Sequence, residues 1–187
     1  MELQAATVGG VTVSPFTLSQ QAYEWSGNRW RISCRYANLT RTIADEINAA
    51  IVSLYGVGTA LLGPLGPSAS APSSWGDTTL LVVSGASQTG KTITVAGFEV
   101  ETSGKAGAFI QLGSGSSASL HMVIKDFTTS GGSIALDVWP AVRTAPTASS
   151  SVVTANPKGV FRLSEKPTWD MDVGHLYSVS FTAEEAF

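Results

Sequence analysis

Thr78-Thr79-Leu80-Leu81-Val82-Val83-Ser84-Gly85-Ala86-Ser87-Gln88-Thr89-Gly90-Lys91-Thr92-Ile93-Thr94-Val95-Ala96 is the stretch whose reading decides the fold. Its centre matches the phosphate-binding P-loop pattern, with Gly85, Gly90, Lys91 and Thr92 in the defining places. That motif works only when the glycine loop opens into a helix, whose free N–H groups hold the phosphates. The residues after Lys91 are β-branched and run into Gly97, which favours a strand. The sequence therefore predicts strands over 78–84 and 92–100, a hairpin turn at Gln88-Thr89-Gly90-Lys91, and no nucleotide cofactor.

Outward from this hairpin the β pattern continues. Residues 108–112, Leu120 to Phe127, Ile134 to Trp139, Val160 to Leu163 and Leu176 to Thr182 all read as strands. Along the last, Tyr177, Val179 and Phe181 alternate with serines. Upstream, Phe16 to Trp25 and Arg29 to Tyr36 are strand-like around Gly27-Asn28, which suits a type II′ turn. That register sets Trp25 opposite Trp30, Tyr23 opposite Ile32 and Glu24 opposite Arg31. The alternation of Trp30, Ile32, Cys34 and Tyr36 against arginines and Ser33 makes Cys34 a buried small residue.

One helix is expected over about 41–55. Ile43, Ile47, Ile51 and Leu54 recur at helical spacing, Thr40 is placed to cap the start, and Gly56 follows the end. Gly63 to Pro72 and Ala145 to Ser151 are small-residue connectors. The fold class is mainly β: a β-sandwich or barrel scaffold with one helix and an inserted small β-barrel. The expected division is a scaffold of residues 1–75 plus 144–187, with the inserted barrel at 76–143.

Composition narrows the function classes. The chain has 187 residues, of which 13% are charged and 43% hydrophobic, against a usual charged share of about 25%. Charge depletion marks surfaces that neighbours cover, although a neutral hydroxyl-rich surface gives the same count. A net charge of −3 argues against nucleic acid as a partner. One cysteine permits neither an internal disulfide nor a four-cysteine metal site. No apolar run is long enough to span a membrane as a helix. The first residues lack the pattern of a secretory signal, so synthesis in a cytoplasm is expected.

No constellation of catalytic or metal-binding groups stands out. Gly113 to Ala118 fits a loose dinucleotide fingerprint, but the strand-like Leu120 to Ile124 follows where a helix is needed. His121 and His175 are isolated from each other. Asp170 and Asp172 share a strand face beside Trp169, or else sit in a solvated turn before Gly174. Trp25 and Trp30 read as core and Trp139 closes an apolar strand; Trp75 and Trp169 lie in turn-like contexts where sugar stacking is open to them. Arg29, Arg31 and Arg35 form a basic stripe and Glu184-Glu185 an acidic one. Such stripes meet across a head-to-tail interface between copies, or are simply solvated. No catalytic, cofactor-binding or metal-binding residue is expected.

The order of segments carries a resemblance. Trp25-Ser26-Gly27-Asn28-Arg29-Trp30 precedes the helix. There follow Ser84 to Thr92, Ala106 to Leu112, Val138-Trp139-Pro140-Ala141-Val142-Arg143 and Asn156-Pro157-Lys158-Gly159-Val160-Phe161-Arg162-Leu163. Over residues 16–165 the chain resembles distal tail proteins of long-tailed bacteriophages and related gene-transfer particles. The resemblance implies a ring of six copies at the tail tip, joining the tail tube protein to the central hub and the host-binding parts. It implies a virion protein and no enzyme. The chain is short for that group and lacks a large C-terminal carbohydrate-type domain, which leaves an adaptor role. The alternatives are a carbohydrate-binding module for host-surface recognition and, further off, a P-loop protein.

Overall fold

A computed structural model describes residues 1–65, 70–99, 101–172 and 174–187. The connector expected over Gly63 to Pro72 and the strand expected over 92–100 each fall partly outside the described residues.

The scaffold is one antiparallel sheet built on its longest inner strand. In chain order its strands are β1 (Glu2–Ala6), β4 (Arg29–Leu39), β5 (Thr59–Leu62), β14 (Gly159–Leu163), β15 (Thr168–Met171) and β16 (Tyr177–Glu185). They lie in the order β1-β4-β16-β14-β5, with β15 also paired to β16. Both edges of β4 are occupied: Leu3 is opposite Ile32 on one side, and Phe181 is opposite Cys34 on the other.

This arrangement overturns the expected hairpin of 16–25 with 29–36. With two ladders already formed, β4 has no free edge for the preceding strand. That strand, β3 (Gln20–Glu24), pairs with β2 (Gly9–Val13) to form a separate two-stranded arm. Gly27 and Asn28 close the arm's base instead of turning a hairpin. The Asn28 side chain accepts from Val8 N–H at 2.7 Å, and a β-carbon on Gly27 would meet Val8 Cγ2 at 2.9 Å.

The helix α1 (Arg41–Val52) starts where the sequence puts it and stops three residues earlier than the expected 55, in a turn that includes Gly56 at φ +72°. Thr40 occupies the N-cap position but its side chain makes no capping bond. Ala44 and Ile51 are buried; Ile43, at the start of the isoleucine stripe, is exposed.

The second sheet comprises β6 (Val82–Val83), β7 (Gly90–Ala96), β9 (Phe109–Leu112), β10 (Ser119–Val123), β12 (Ser133–Val142) and β13 (Val152–Val153), ordered β13-β9-β10-β12-β7-β6. Its ends nearly meet: Val82 bridges Ser151, and Val152 N–H donates to Leu81 O. The closing segment, 149–153, thus comes from beyond residue 143. A short pair, β8 (Ser103–Gly104) with β11 (Phe127–Thr128), lies at one end.

Strand alternation gives this barrel two faces. Inward-pointing Ile93, Val95, Ile110, Leu112, Val123, Leu136 and Val138 are all buried in one core, capped by the aromatic group Trp75, Phe98 and Phe127. Trp75 and Phe127 meet edge-on at 5.0 Å. The outward positions Phe109, Leu120, Met122 and Trp139 are apolar as well, because the scaffold covers them. Trp30 of β4 inserts there, 4.4 Å from Trp139 and 5.5 Å from Phe109 between ring centres. Its indole N–H donates to Leu120 O at 3.0 Å. Barrel and scaffold therefore share a core.

Candidate assembly surfaces

The P-loop-like segment is a hairpin loop. Val83 of β6 is opposite Val95 of β7, so Lys91 and Thr92 lie in a strand and no helix follows. The turn falls over 84–89, slightly upstream of the expected Gln88 to Lys91. Gly85 and Gly90 supply positive φ angles of +95° and +99°. Gln88 fills the loop itself: its carbonyl accepts from Thr94 N–H at 2.6 Å, and its amide donates to Ser84 O. Lys91 turns away to Glu24 of the arm, with Nζ 2.5 Å from Oε2. Gly113 to Ala118 likewise forms a loop with one short 3-10 turn, Gly115–Ser117.

The charged stripes are brought together within one molecule. Arg29 pairs with Glu184 at 3.2 Å, and Arg31 with Glu165 at 2.6 Å. Arg35 is exposed on the same face, opposite Ser180. Glu185 lies in the interior and offers no surface to a second copy. Its Oε1 accepts from Leu120 N–H at 3.1 Å and its Oε2 from Trp30 N–H at 3.3 Å. One carboxylate thus joins barrel to scaffold. Burial pushes its pKa up to about 7, against the two N–H groups and the nearby Arg143 and Arg29 charges. The signal was present in the sequence: carrying the alternation of Tyr177, Val179 and Phe181 four residues further puts Glu185 on the core face.

His121 is buried inside the barrel, where Ile110 is its cross-strand neighbour. Nδ1 is 2.7 Å from Pro140 O and Nε2 is 2.9 Å from Ser119 Oγ, so both ring nitrogens have partners. Burial lowers its pKa to about 4, so the ring is neutral at pH 7. His175 is exposed in a turn with Asp172. Cys34 is buried, and burial pushes its thiol pKa up. Among the described residues, no three His, Cys, Asp or Glu side chains come close enough to hold a metal ion, and no helix is long and apolar enough to cross a membrane.

The tryptophans depart from expectation at two places. Trp75, read as lying in a turn-like context open to exposure, is fully buried as the plug of the barrel end, while Trp25, expected in the core, is 59% exposed at the arm's base. Trp169 is exposed beside Asp170 and Arg35, which with Ser178 and Ser180 line a polar depression of about 280 Å³.

Two surfaces were not legible in advance. The first is the arm, β2–β3. From Val8 to Tyr23 it carries no charged side chain, yet Val11, Phe16, Leu18 and Tyr23 are all exposed. An exposed two-stranded element normally carries lysine, proline or inward charges against unwanted pairing; this one has a single proline, Pro15, at its tip. The second surface is a groove of about 470 Å³ between α1 and the sheet, where Ile47, Ile51 and Leu54 face Leu62, Phe161 and Phe181; every lining side chain is uncharged.

Sequence comparison finds no protein family and no curated protein that matches this chain.

Proposed function

We propose that the chain is a non-catalytic ring subunit of the tail tip of a long-tailed phage or gene-transfer particle. In this reading, copies assemble head to tail, about six to a ring, between the tail tube protein and the central hub. The observation that carries the proposal is the uncharged, exposed arm, since free apolar surface of this extent marks a protein interaction site. The low charge of the whole chain and the segment order from Trp25 to Leu163 support the same reading. The buried Glu185–Leu120–Trp30 contact fixes barrel against scaffold, as a part that transmits position requires.

Native mass spectrometry and negative-stain imaging of the purified protein test this reading. Closed rings are the expected result. A protein that stays monomeric at high concentration, and still does so with tube and hub proteins added, would count against it.

A second reading rests on Trp169. Its exposed ring beside the hydroxyl-lined depression suits stacking against a sugar, which would make this face a contact for host-surface glycans. Glycan-array binding that disappears in Trp169→Ala would favour it.

A further inference from the structure

From the arm and the groove together, we infer that the tip of the arm, Phe16 and Leu18, seats in the groove between α1 and the scaffold sheet of a second copy. This inference rests on the ring reading and names the contact that builds the ring.

The arm's ties to its own molecule lie at its base. Among the described residues, and apart from the Glu24–Lys91 pair at its base, neither β2 nor β3 packs extensively against another strand or helix beyond its own ladder. Its base is held in three ways: Trp25 N–H donates to Val8 O, Asn28 accepts from Val8 N–H, and Glu24 pairs with Lys91 of the barrel. Arg143 of the barrel adds a bond to Asn28 O. From this base the strands extend about 20 Å at the usual rise per residue, to a tip where Phe16 is 95% exposed and Leu18 is 75% exposed. Val11 and Val13 lie on one face of the ladder leading to it.

The groove complements that tip. It is open, apolar and uncharged, and its volume of about 470 Å³ lies in the range of pockets that enclose small apolar groups, about 300–1,000 Å³. A charged or hydroxyl-rich partner would leave unpaired polar groups in it; the tip residues Pro15, Phe16 and Leu18 would not. Each copy carries one arm and one groove on different surfaces. The contact is therefore heterologous, and it closes into a ring when the rotation per copy divides a full turn.

Two variants separate arm from groove without touching the buried core. F16D/L18D blunts the tip. A50E places a carboxylate at the groove, on an exposed helix position. Each variant alone should be monomeric by native mass spectrometry, with circular dichroism and melting unchanged from wild type. An equal mixture should give heterodimers and nothing larger, because only one productive arm–groove contact remains. Assembly of F16D/L18D like wild type would overturn the arm contact and leave the ring reading standing. A wild-type protein that never oligomerises would overturn both. Loss of assembly in both variants without heterodimers on mixing would place the arm in some other surface and also overturn the inference.

Discussion

Lys91 Nζ lies 2.5 Å from Glu24 Oε2, so the lysine of the P-loop-like segment is one of the barrel's ties to the arm. The hydrogen bond from Lys91, then its charge, holds the Glu24 carboxyl below the usual carboxylate range. With the folded pKa depressed, this contribution is present at neutral pH and fades as the pH falls through the folded pKa. A binder of nucleotide is stabilised as ligand rises above its dissociation constant. We expect no rise in wild-type Tm with Mg-ATP or Mg-GTP, and in Lys91→Ala an unchanged Tm with faster hydrogen exchange in residues 9–24. A nucleotide-dependent stabilisation lost in Lys91→Ala would reinstate the P-loop reading.

Glu185 and His121 act in opposite directions on pH. The folded pKa of Glu185 is raised from 4.5 to about 7, so its stabilising effect is present below pH 4.5 and is lost as pH rises to about 7. His121 is lowered from 6.5 to about 4, so its effect is present above pH 6.5 and is lost as pH falls to about 4. Each contribution is on the order of 3 kcal/mol over its full window. The Tm of Glu185→Gln relative to wild type should therefore climb between pH 4.5 and 7. That of His121→Gln relative to wild type should fall from pH 4 to 6.5. Glutamine at 185 keeps an acceptor for one of the two N–H groups, so the offset at any single pH is less informative than the slope. Parallel curves for wild type and either variant would show that group to be unperturbed.

The tryptophans should separate by position. Trp75→Ala empties the end of the barrel between Phe98 and Phe127, and should cost about 3–5 kcal/mol in urea denaturation. Trp75→Phe should cost much less, since the indole Nε1 is buried without a hydrogen-bond partner. Trp25→Ala and Trp169→Ala, both at exposed rings, should stay within about 0.5 kcal/mol of wild type. Equal losses at all three positions would contradict this packing.

Arg29 and Glu184 pair within one chain. A double-mutant cycle of Arg29→Ala with Glu184→Ala should return a coupling of about 0.5 kcal/mol, as for other partly exposed pairs. The coupling should shrink in high salt, and the oligomeric state should not change. A coupling found only in the assembled form would move this pair to an interface.

The sequence by itself determined the local elements and the extended backbone after Lys91. β-branching after Lys91 settles strand against helix, and isoleucine spacing places α1, because both depend on neighbours a few residues apart. It also placed Trp30, Ile32, Cys34 and Val179 on the buried sides of β4 and β16, since period-two alternation marks the buried side of a strand wherever its partners lie. Only the tertiary structure decided which strands pair. Trp25 and Trp30 looked like partners, but β1 and β16 fill both edges of β4, and the ladder with β16 joins residues more than a hundred positions apart. The same long-range pairing buried Glu185 against Leu120, put Trp75 at the barrel end and set the arm free. Local pattern has no access to those outcomes, because each depends on what the rest of the chain places alongside.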